Sequence, residues 1–300
     1  MSLLLANRGL IKSASVDTSF KFSIDTSLGT GTTFALPLPS GYTYNFTVDY
    51  GDGSGLKTVT AYNDSDAIHN YGVAFSGQIT ITGVCEAFSF NNGGDKLKIT
   101  SVDNWGSIEL RYMTNGFNGC ANLTTTSSAG KLNGTVLLTS LLGLFANCTS
   151  LTTIDSDFLL NCQNNCDIGA MFNNCTSLLQ LPNISVLTNI TDVDFFANNC
   201  ISIVTIPNNY FVNNTLITSY INTFAGCRNI SLPTTLFNLG SLSIVTSFNG
   251  FMNSSSGTYS HTGTIQDVWN YATSATSVNT FLNQTSLSNY ASIPNGWKGL

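Results

Sequence analysis

One short motif recurs through the last two thirds of the chain and constrains its fold more than any other feature. An aromatic residue is followed by Cys three positions later and by Leu or Ile six positions later. The clear copies begin at Phe117, Phe145, Phe172 and Phe224; the copy at Phe196 carries one extra residue before Cys200, and the weaker copies at Phe251 and Phe281 lack Cys. The shortest step from one Phe to the next runs from Phe172 to Phe196, and the longest from Phe251 to Phe281. A period of roughly 27 residues predicts a solenoid of stacked coils, which presents an extended binding surface.

The cysteines follow the same period. The eight are Cys85, Cys120, Cys148, Cys162, Cys166, Cys175, Cys200 and Cys227. Five of them occupy the same phase of the repeat, so we expect a column of free, buried thiols rather than a disulfide framework. Cys162 and Cys166 form an i, i+4 pair, but no second pair or His completes a tetrahedral metal site. We interpret these two as buried thiols as well.

Composition restricts the partners. Charged residues make up 9% of the chain and the net charge is −6, which argues against the basic face that nucleic acid requires. No apolar stretch is long enough to cross a bilayer, so the sequence predicts no membrane span. The start, Met1 to Lys12, lacks the features of a secretory signal. We therefore expect the chain to stay in the cytosol of its producer or to leave by assembly into a virion.

The first part of the chain has the pattern of β structure. Residues 1–18 fit no later pattern and suggest a docking tail or an added edge strand. Phe20, Phe22 and Ile24 alternate with polar residues, as a half-buried strand requires. Further strands are predicted at 32–39, 44–50, 57–62, 78–83 and 87–90, with a turn at Gly51-Asp-Gly-Ser54. Short strands at this spacing predict a small sandwich.

Three segments of this region resemble the PKD-like family. They are Val48-Asp-Tyr-Gly-Asp-Gly-Ser54, His69-Asn-Tyr71 and Ser76-Gly-Gln-Ile-Thr-Ile-Thr-Gly83. They are similar to the aromatic-Gly-Asp-Gly turn, the His-x-Tyr element and the last strand of that family, although Gln78 stands where the family has an aromatic residue. The resemblance implies an immunoglobulin-like sandwich over 19–92 that serves as a spacer or adhesion module.

The repeats resemble a second family. After the motif each repeat continues into a short apolar strand that often closes at Pro, as in Leu178 to Pro182 and Ile203 to Pro207. This unit is similar to the BspA-like leucine-rich repeat family over residues 97–287. The resemblance implies a surface protein of bacteria or mobile elements that binds other proteins or host surfaces. The first coil begins near Leu97, and we expect Trp105 to cover its exposed apolar end.

Acidic and histidine side chains are the remaining candidates for chemistry. Asp49, Asp52, Asp64 and Asp66 offer oxygens to Ca²⁺, but they lack the spacing of an EF-hand loop, and we interpret Asp52 as a carboxylate that braces the backbone of its turn. We interpret His69 as a packing residue. The loop Ser254–Gly263, which contains His261, interrupts the repeat and is a candidate contact loop. We interpret the acidic residues of the repeats as surface and turn positions, although carboxylates paired for glycoside cleavage need only spatial proximity; they are Asp155, Asp157, Asp167, Asp192, Asp194 and Asp267.

Asn-x-Ser/Thr sequences such as those at Asn147 and Asn189 lie within the repeats. A glycan inside the motif would clash with the next coil. We interpret these sequences as a result of composition and of asparagine side chains that hydrogen-bond between coils.

Together these patterns predict a mainly β protein with short helices, an immunoglobulin-like β-sandwich followed by a leucine-rich-repeat-type solenoid. The predicted divisions are a tail (1–18), a PKD-like sandwich (19–92), about seven repeats of roughly 27 residues (93–287) and a C-terminal cap (288–300). We predict no catalytic, cofactor-binding or metal-binding residue and no cofactor.

The predicted function is that of a non-enzymatic structural or adhesion component on a phage virion surface, present in many copies. The tail and sandwich would contact other virion proteins, and the solenoid a host protein or glycan. A bacterial cell-surface adhesin and a glycan-cleaving tail enzyme are the alternatives.

Overall fold

The computed structural model describes residues 17–126, 138, 140–160, 162, 166–254 and 260–300. The protein is mainly β with few short helices. Most of the predicted tail, residues 1–16, lies outside the described residues. The chain enters the described part beside residues 104–107, where Thr18 accepts a hydrogen bond from the Ser107 N–H at 2.8 Å.

The regular elements are short. The strands are β1 (Phe20–Asp25), β2 (Thr33–Ala35), β3 (Tyr44–Asp49), β4 (Lys57–Val59), β5 (Ile68–Asn70), β6 (Ser76–Cys85), β7 (Ile99–Asn104) and β8 (Thr125–Thr126). The 3₁₀ helices are Thr26–Leu28, Ser65–Ala67, Lys96–Lys98, Leu239–Ile244, Val268–Asn270 and Tyr290–Ser292, and the α-helix α1 is Asn295–Lys298.

A six-stranded sheet in the order β4-β3-β6-β1-β7-β8 dominates the first part of the chain, beside a two-stranded sheet of β2 and β5. The predicted strand at Phe20, Phe22 and Ile24 is confirmed as β1, which pairs antiparallel with both β6 and β7. All three of its apolar side chains are fully buried. Strand β7 pairs in parallel with β8, so the sheet continues from the first part of the chain into the repeats.

Three strand predictions need correction. In the segment 57–62 only Lys57–Val59 is a strand. In the segment 32–39 only Thr33–Ala35 is a strand, because Pro37 and Pro39 have no N–H to donate to a ladder. The segment 87–90 is not a strand of the sheet. There, the Phe88 N–H donates to the carbonyl of Tyr112, which already belongs to the repeats. The predicted hairpin, by contrast, is confirmed, since β3 and β4 pair antiparallel around the turn after Tyr50.

The repeats are joined by backbone hydrogen bonds at a recurrent place that we name the anchor position. The anchor N–H donates to the carbonyl of the residue just before the anchor of the next repeat. The anchors are Phe90, Phe117, Phe145, Phe172, Ala197, Phe224 and Met252, followed by Phe281, whose N–H donates to the Trp297 carbonyl. The separation between consecutive anchors is smallest from Phe172 to Ala197 and largest from Met252 to Phe281. We name this series of bonded repeats the anchor ladder.

The anchor ladder corrects the register that the sequence motif indicates. Phe196 and Phe251 head their motifs in the sequence, yet Ala197 and Met252 make the anchor bonds. With Ala197 as anchor, Cys200 follows three positions later as in the other repeats, and the extra residue disappears. Phe196 instead supplies the carbonyl that the Phe172 N–H binds at 2.8 Å.

The ladder also begins one repeat earlier than the sequence motif indicates. The Phe90 N–H donates to Gly116 O at 2.9 Å, and the Gly93 N–H returns to Phe90 O at 2.8 Å. Gly93 therefore stands where later repeats have Cys. The predicted boundary at 92/93 falls inside a continuous hydrogen-bonded structure.

Left-handed backbone at a fixed phase explains the frequent Asn and Gly of the repeats. The residue two positions before the anchor has positive φ in each repeat from Asn115 (54°) to Asn279 (56°). Asn and Gly tolerate this conformation better than other residues. Gly143 and Gly250 take it in two repeats, but Ala170 (50°) and Phe195 (56°) adopt it at a steric cost.

Aromatic side chains fill the inside of the ladder. Phe117, Phe145 and Phe172 stack in sequence with centroid distances of 5.9 and 5.8 Å. Trp105, which the sequence suggested as a cover for an exposed end, is instead buried between Phe20 of the sheet and the ladder rings. The sheet and the ladder therefore share one core. At the other end the Trp297 ring stacks against Phe281 at 6.3 Å.

Candidate binding surface

The thiols are structural. All eight cysteines are free, seven of them are buried and Cys162 is half-buried, so the prediction of free thiols is confirmed. Four thiols of the column donate to the anchor carbonyl of the preceding repeat at 3.0 to 3.2 Å; they are Cys148, Cys175, Cys200 and Cys227. Burial raises the pKa of each of these thiols well above its usual range. A thiol held protonated in this way is a poor nucleophile and metal ligand.

The last repeat keeps this bond without a thiol. Gln284 stands three residues after the anchor Phe281, where the motif loses its Cys. Its Nε2 donates to the Met252 anchor carbonyl at 2.6 Å. The sequence motif missed this equivalence because the amide and the thiol share only their ability to donate to a carbonyl.

Asparagine side chains form a second polar column. In each of three consecutive bonds, an Nδ2 donates to the Oδ1 of the asparagine in the preceding repeat at 2.9 Å. The bonds run from Asn147 to Asn118, from Asn174 to Asn147 and from Asn199 to Asn174. The interpretation that asparagines of the repeats bond between coils is therefore confirmed for Asn147. These amides are engaged within the ladder rather than offered to a partner.

Asp52 braces its turn, as predicted, and two other acidic residues of the first part do the same. Asp52 Oδ1 accepts the Ser54 N–H at 3.0 Å, and Asp49 and Asp64 likewise accept N–H groups two residues ahead. Hydrogen bonds from Ser54 hold the pKa of Asp52 below its usual range. Asp52 Oδ2 also lies 2.7 Å from Nε2 of His69.

His69 packs between two rings. Its imidazole stacks on the Tyr50 ring with the ring centroids 4.4 Å apart, and it contacts the Tyr71 ring edge to face with the centroids 4.5 Å apart. These contacts confirm the interpretation of His69 as a packing residue. Within the described part of the chain, no group of three or more His, Cys, Asp or Glu side chains is placed to hold a metal ion.

Three carboxylates of the repeats meet in one cavity of about 400 Å³. They are Asp167, Asp192 and Asp194, of which the sequence placed only the last two on one coil. Asp167 and Asp192 each accept the N–H two residues ahead, so the interpretation of these two as turn residues is confirmed. Asp194 bonds to the next repeat instead, where it accepts the Ile221 N–H at 2.7 Å. Burial raises the pKa of Asp192.

His261 lies inside the protein rather than on a contact loop. It is fully buried, and its Nδ1 accepts the Ile230 N–H at 2.9 Å. Burial lowers its pKa to about 4. Residues 255–259 of the predicted contact loop lie outside the described residues.

A row of hydroxyl side chains follows the outside of the ladder. Its members are exposed and occupy the short strand that follows each motif; they are Thr125, Thr153, Thr205, Ser231 and Thr262. Parallel bridges join Thr125 to Thr153, Thr205 to Ser231 and Ser231 to Thr262. Neighbouring bridged strands lie about 4.8 Å apart, so the hydroxyls recur at this interval within each of the two bridged groups. We name this surface the hydroxyl row.

The hydroxyl row carries no ionisable group. The exposed residue that the sequence places between Thr153 and Thr205 is Gln180, so the row stays neutral there as well. On the adjoining positions, the Thr124 and Thr152 hydroxyls bond to carbonyls of preceding repeats at 3.1 Å. Within the described residues the hydroxyls of Thr125 and Thr153 have no such bond, and they are available to a ligand.

A groove of about 650 Å³ lies where the sheet meets the first repeat. Residues 35–40 form one wall and residues 89–91 with Tyr112 form the other. The Tyr42 and Tyr112 rings approach to 5.1 Å at its side. We name this feature the junction groove. No local sequence pattern indicates it, because its walls come from segments that are distant in the chain.

Comparison with known proteins adds no relative. No protein-family model matches the chain, and no curated protein matches it. In the part of the chain that the structure describes, no helix is long and apolar enough to cross a membrane.

Proposed function

We propose that this chain is a non-enzymatic structural or adhesion protein whose repeats form a leucine-rich-repeat-type solenoid with an outward binding surface. The hydroxyl row is the observation that carries the proposal. It offers neutral donors and acceptors on several repeats, and such a surface suits a host protein or glycan. The first part of the chain, an immunoglobulin-like sandwich in this proposal, attaches the solenoid to its support.

The construction of the ladder supports a scaffold. Four of its thiols and its asparagine column are engaged in hydrogen bonds between repeats, and its cysteines have pKa values raised by burial, which makes them poor nucleophiles. A solenoid closed at both ends is soluble without further repeats. Here the sheet covers the first repeat, and Trp297 covers the ring of Phe281 at the last.

The support that we propose is a phage virion surface. This step rests on the order of the two resemblances, a PKD-like module ahead of BspA-like repeats, and is an analogy at the level of fold. Mass spectrometry of purified particles and of the cell envelope from one culture tests it. We expect the chain in the particles at a fixed stoichiometry with the other virion proteins. Its presence in the envelope alone would favour a bacterial adhesin and contradict the proposal.

Charge substitutions test the binding surface. Thr153→Lys and Thr205→Lys place ammonium groups in the hydroxyl row, and Thr273→Lys places one on an exposed threonine outside the row. We expect the first two variants to reduce attachment of the purified protein to host cells, with Thr273→Lys unchanged. Equal attachment by all three would exclude the hydroxyl row as the binding surface.

A further inference from the structure

The junction groove has the construction of a binding site for a small molecule. Pockets of this kind commonly form where two parts of a protein meet, and they combine apolar walls with a few convergent polar groups. The Tyr42 and Tyr112 rings lie 5.1 Å apart and are inclined by 32°. Both side chains are partly exposed, so the rings offer their surface to the groove.

The walls are held in place before any ligand binds. The Ser89 N–H donates to Pro37 O at 2.9 Å and joins the two walls. The Tyr44 hydroxyl donates to Pro39 O at 2.6 Å and fixes the end of the same segment. Prolines restrict the backbone further. A wall ordered in advance reduces the entropic cost of binding.

The charge of the groove is already neutralised. Asp95 is the ionisable acid that lines it, and both its oxygens are engaged. Oδ1 lies 2.7 Å from Nζ of Lys98, and Oδ2 accepts the Ala35 N–H at 2.8 Å. A charged ligand would therefore find no free countercharge there, and its desolvation would be unfavourable.

Neutral polar groups remain available. Among the described residues, the hydroxyls of Tyr42, Tyr112 and Ser40 have no hydrogen-bond partner. A ligand that suits them needs an apolar face for the two rings and several neutral hydroxyl groups for the polar atoms. A sugar ring has both, since its C–H groups form an apolar face and its hydroxyls project from the rim.

We propose that the junction groove binds a neutral saccharide, with one sugar ring against Tyr42 and Tyr112. This site is separate from the hydroxyl row and does not depend on the function proposed for the ladder. The proposal names a ligand class that either a virion protein or a cell-surface protein would meet at a host envelope.

Saturation-transfer NMR with the full chain tests the proposal. The probes are N-acetylglucosamine, galactose, mannose and their disaccharides, with glucuronic acid as the charged comparison and a proline-rich peptide as the rival ligand. We expect transfer to the ring protons of at least one neutral sugar. Tyr42→Ala and Tyr112→Ala should weaken its binding at least about tenfold.

Two further variants keep the test decisive. Tyr112→Phe retains the ring but removes the hydroxyl, and should weaken binding less than Tyr112→Ala while the fold is kept. Tyr271→Ala removes an exposed tyrosine elsewhere (46% exposed) and should bind as the parent does. The proposal is overturned if no neutral sugar binds, if glucuronic acid or the peptide is preferred, or if Tyr42→Ala and Tyr112→Ala bind like the parent.

Discussion

The sheet and the anchor ladder connect their polar side chains with different chemistry. The sheet and the first repeat use charge. Among the described residues the Lys and Arg ion pairs all lie between Asp17 and Arg111; they are Lys21–Asp17, Lys98–Asp95 and Arg111–Glu86. The later repeats use mainly neutral donors, namely thiols, amides and hydroxyls that bond one repeat to the next; the Asp194 carboxylate, which accepts the Ile221 N–H, is an exception. The comparison teaches that a periodic backbone can be joined without ion pairs between its repeats, because each repeat presents the same carbonyls to its neighbour.

The difference extends to how each region depends on distant residues. In the sheet, β1 pairs with β6 and β7, which lie far away in the chain. In the ladder each repeat contacts its neighbours at a nearly constant separation, so stability is close to a sum of neighbour terms. Single substitutions should therefore act locally in the ladder and across the whole sheet in the first part.

Removal of a ladder ring is expected to have the largest effect. Phe145 is fully buried and stacked between Phe117 and Phe172, so Phe145→Ala leaves a cavity that the rigid backbone cannot close. We expect a loss of about 4 kcal/mol in the free energy of unfolding, measured with urea. Phe195→Ala, at a ring that is 39% exposed, is the matched control and should cost much less. Equal losses would contradict the ring stack.

Disruption of the buried ion pair that links the first repeat to strand β2 is expected to have the second largest effect on the free energy of unfolding. Lys98 Nζ lies 2.7 Å from Asp95 and donates to Thr33 O at 2.6 Å. Lys98→Met leaves the Asp95 carboxylate without its countercharge and should cost about 3 kcal/mol. Lys57→Met, on the edge strand β4, serves as the control. An unchanged unfolding midpoint for Lys98→Met would show that the pair does not join the two regions.

Acid should weaken the ladder through one residue. Burial lowers the pKa of His261 from its usual 6.5 to about 4, so the unfolded chain binds a proton that the folded chain does not between these pH values. Stability attributable to His261 is therefore fully present above the usual pKa and falls as the pH drops towards 4. The loss is at most about 3 kcal/mol.

The matched variant for this prediction is His261→Asn. Its side-chain oxygen can accept the Ile230 N–H without titrating. Thermal unfolding of parent and variant across this pH range should show a smaller acid loss in the variant. Parallel curves for the two proteins would show that His261 is not the group responsible.

Relief of backbone strain is expected to give the smallest effect and the opposite sign. Ala170 has a φ of 50° where other repeats place Asn or Gly, so Ala170→Gly should raise the free energy of unfolding by about 1 kcal/mol or less. The control is Ala146→Gly, at a buried alanine outside the left-handed region, which should lower stability. A lower free energy of unfolding in both variants would contradict the proposed backbone strain at Ala170.

The sequence predicts what depends on side-chain pattern. The alternation of Phe20, Phe22 and Ile24 is enough to define β1, and the periodic cysteines are enough to define the thiol column. The motif fails where backbone bonding rather than side-chain identity sets the register. An anchor needs only its N–H, so Ala197 serves as well as a phenylalanine. The neighbouring Phe196 matches the aromatic position of the motif and therefore shifts the predicted register by one residue.

The same reason hides other parts of the ladder. Gly93 takes the place of a Cys in the first repeat, and Gln284 replaces a thiol with an amide in the last, so neither matches the motif. The junction groove is beyond any local pattern, since Tyr42 and Tyr112 come together only after the sheet and the ladder have packed. The hydroxyl row is visible in the sequence as scattered Thr and Ser, but its alignment requires the register.

The most direct test of the ladder is NMR detection of scalar couplings across its backbone hydrogen bonds. A long-range HNCO experiment on deuterated protein reports which carbonyl accepts from each N–H. The account predicts a coupling from the Ala197 N–H to the Thr223 carbonyl and from the Met252 N–H to the Thr280 carbonyl. Couplings from Phe196 and Phe251 to the following repeat in their place would contradict the constant register on which the ladder, and with it the hydroxyl row, depends.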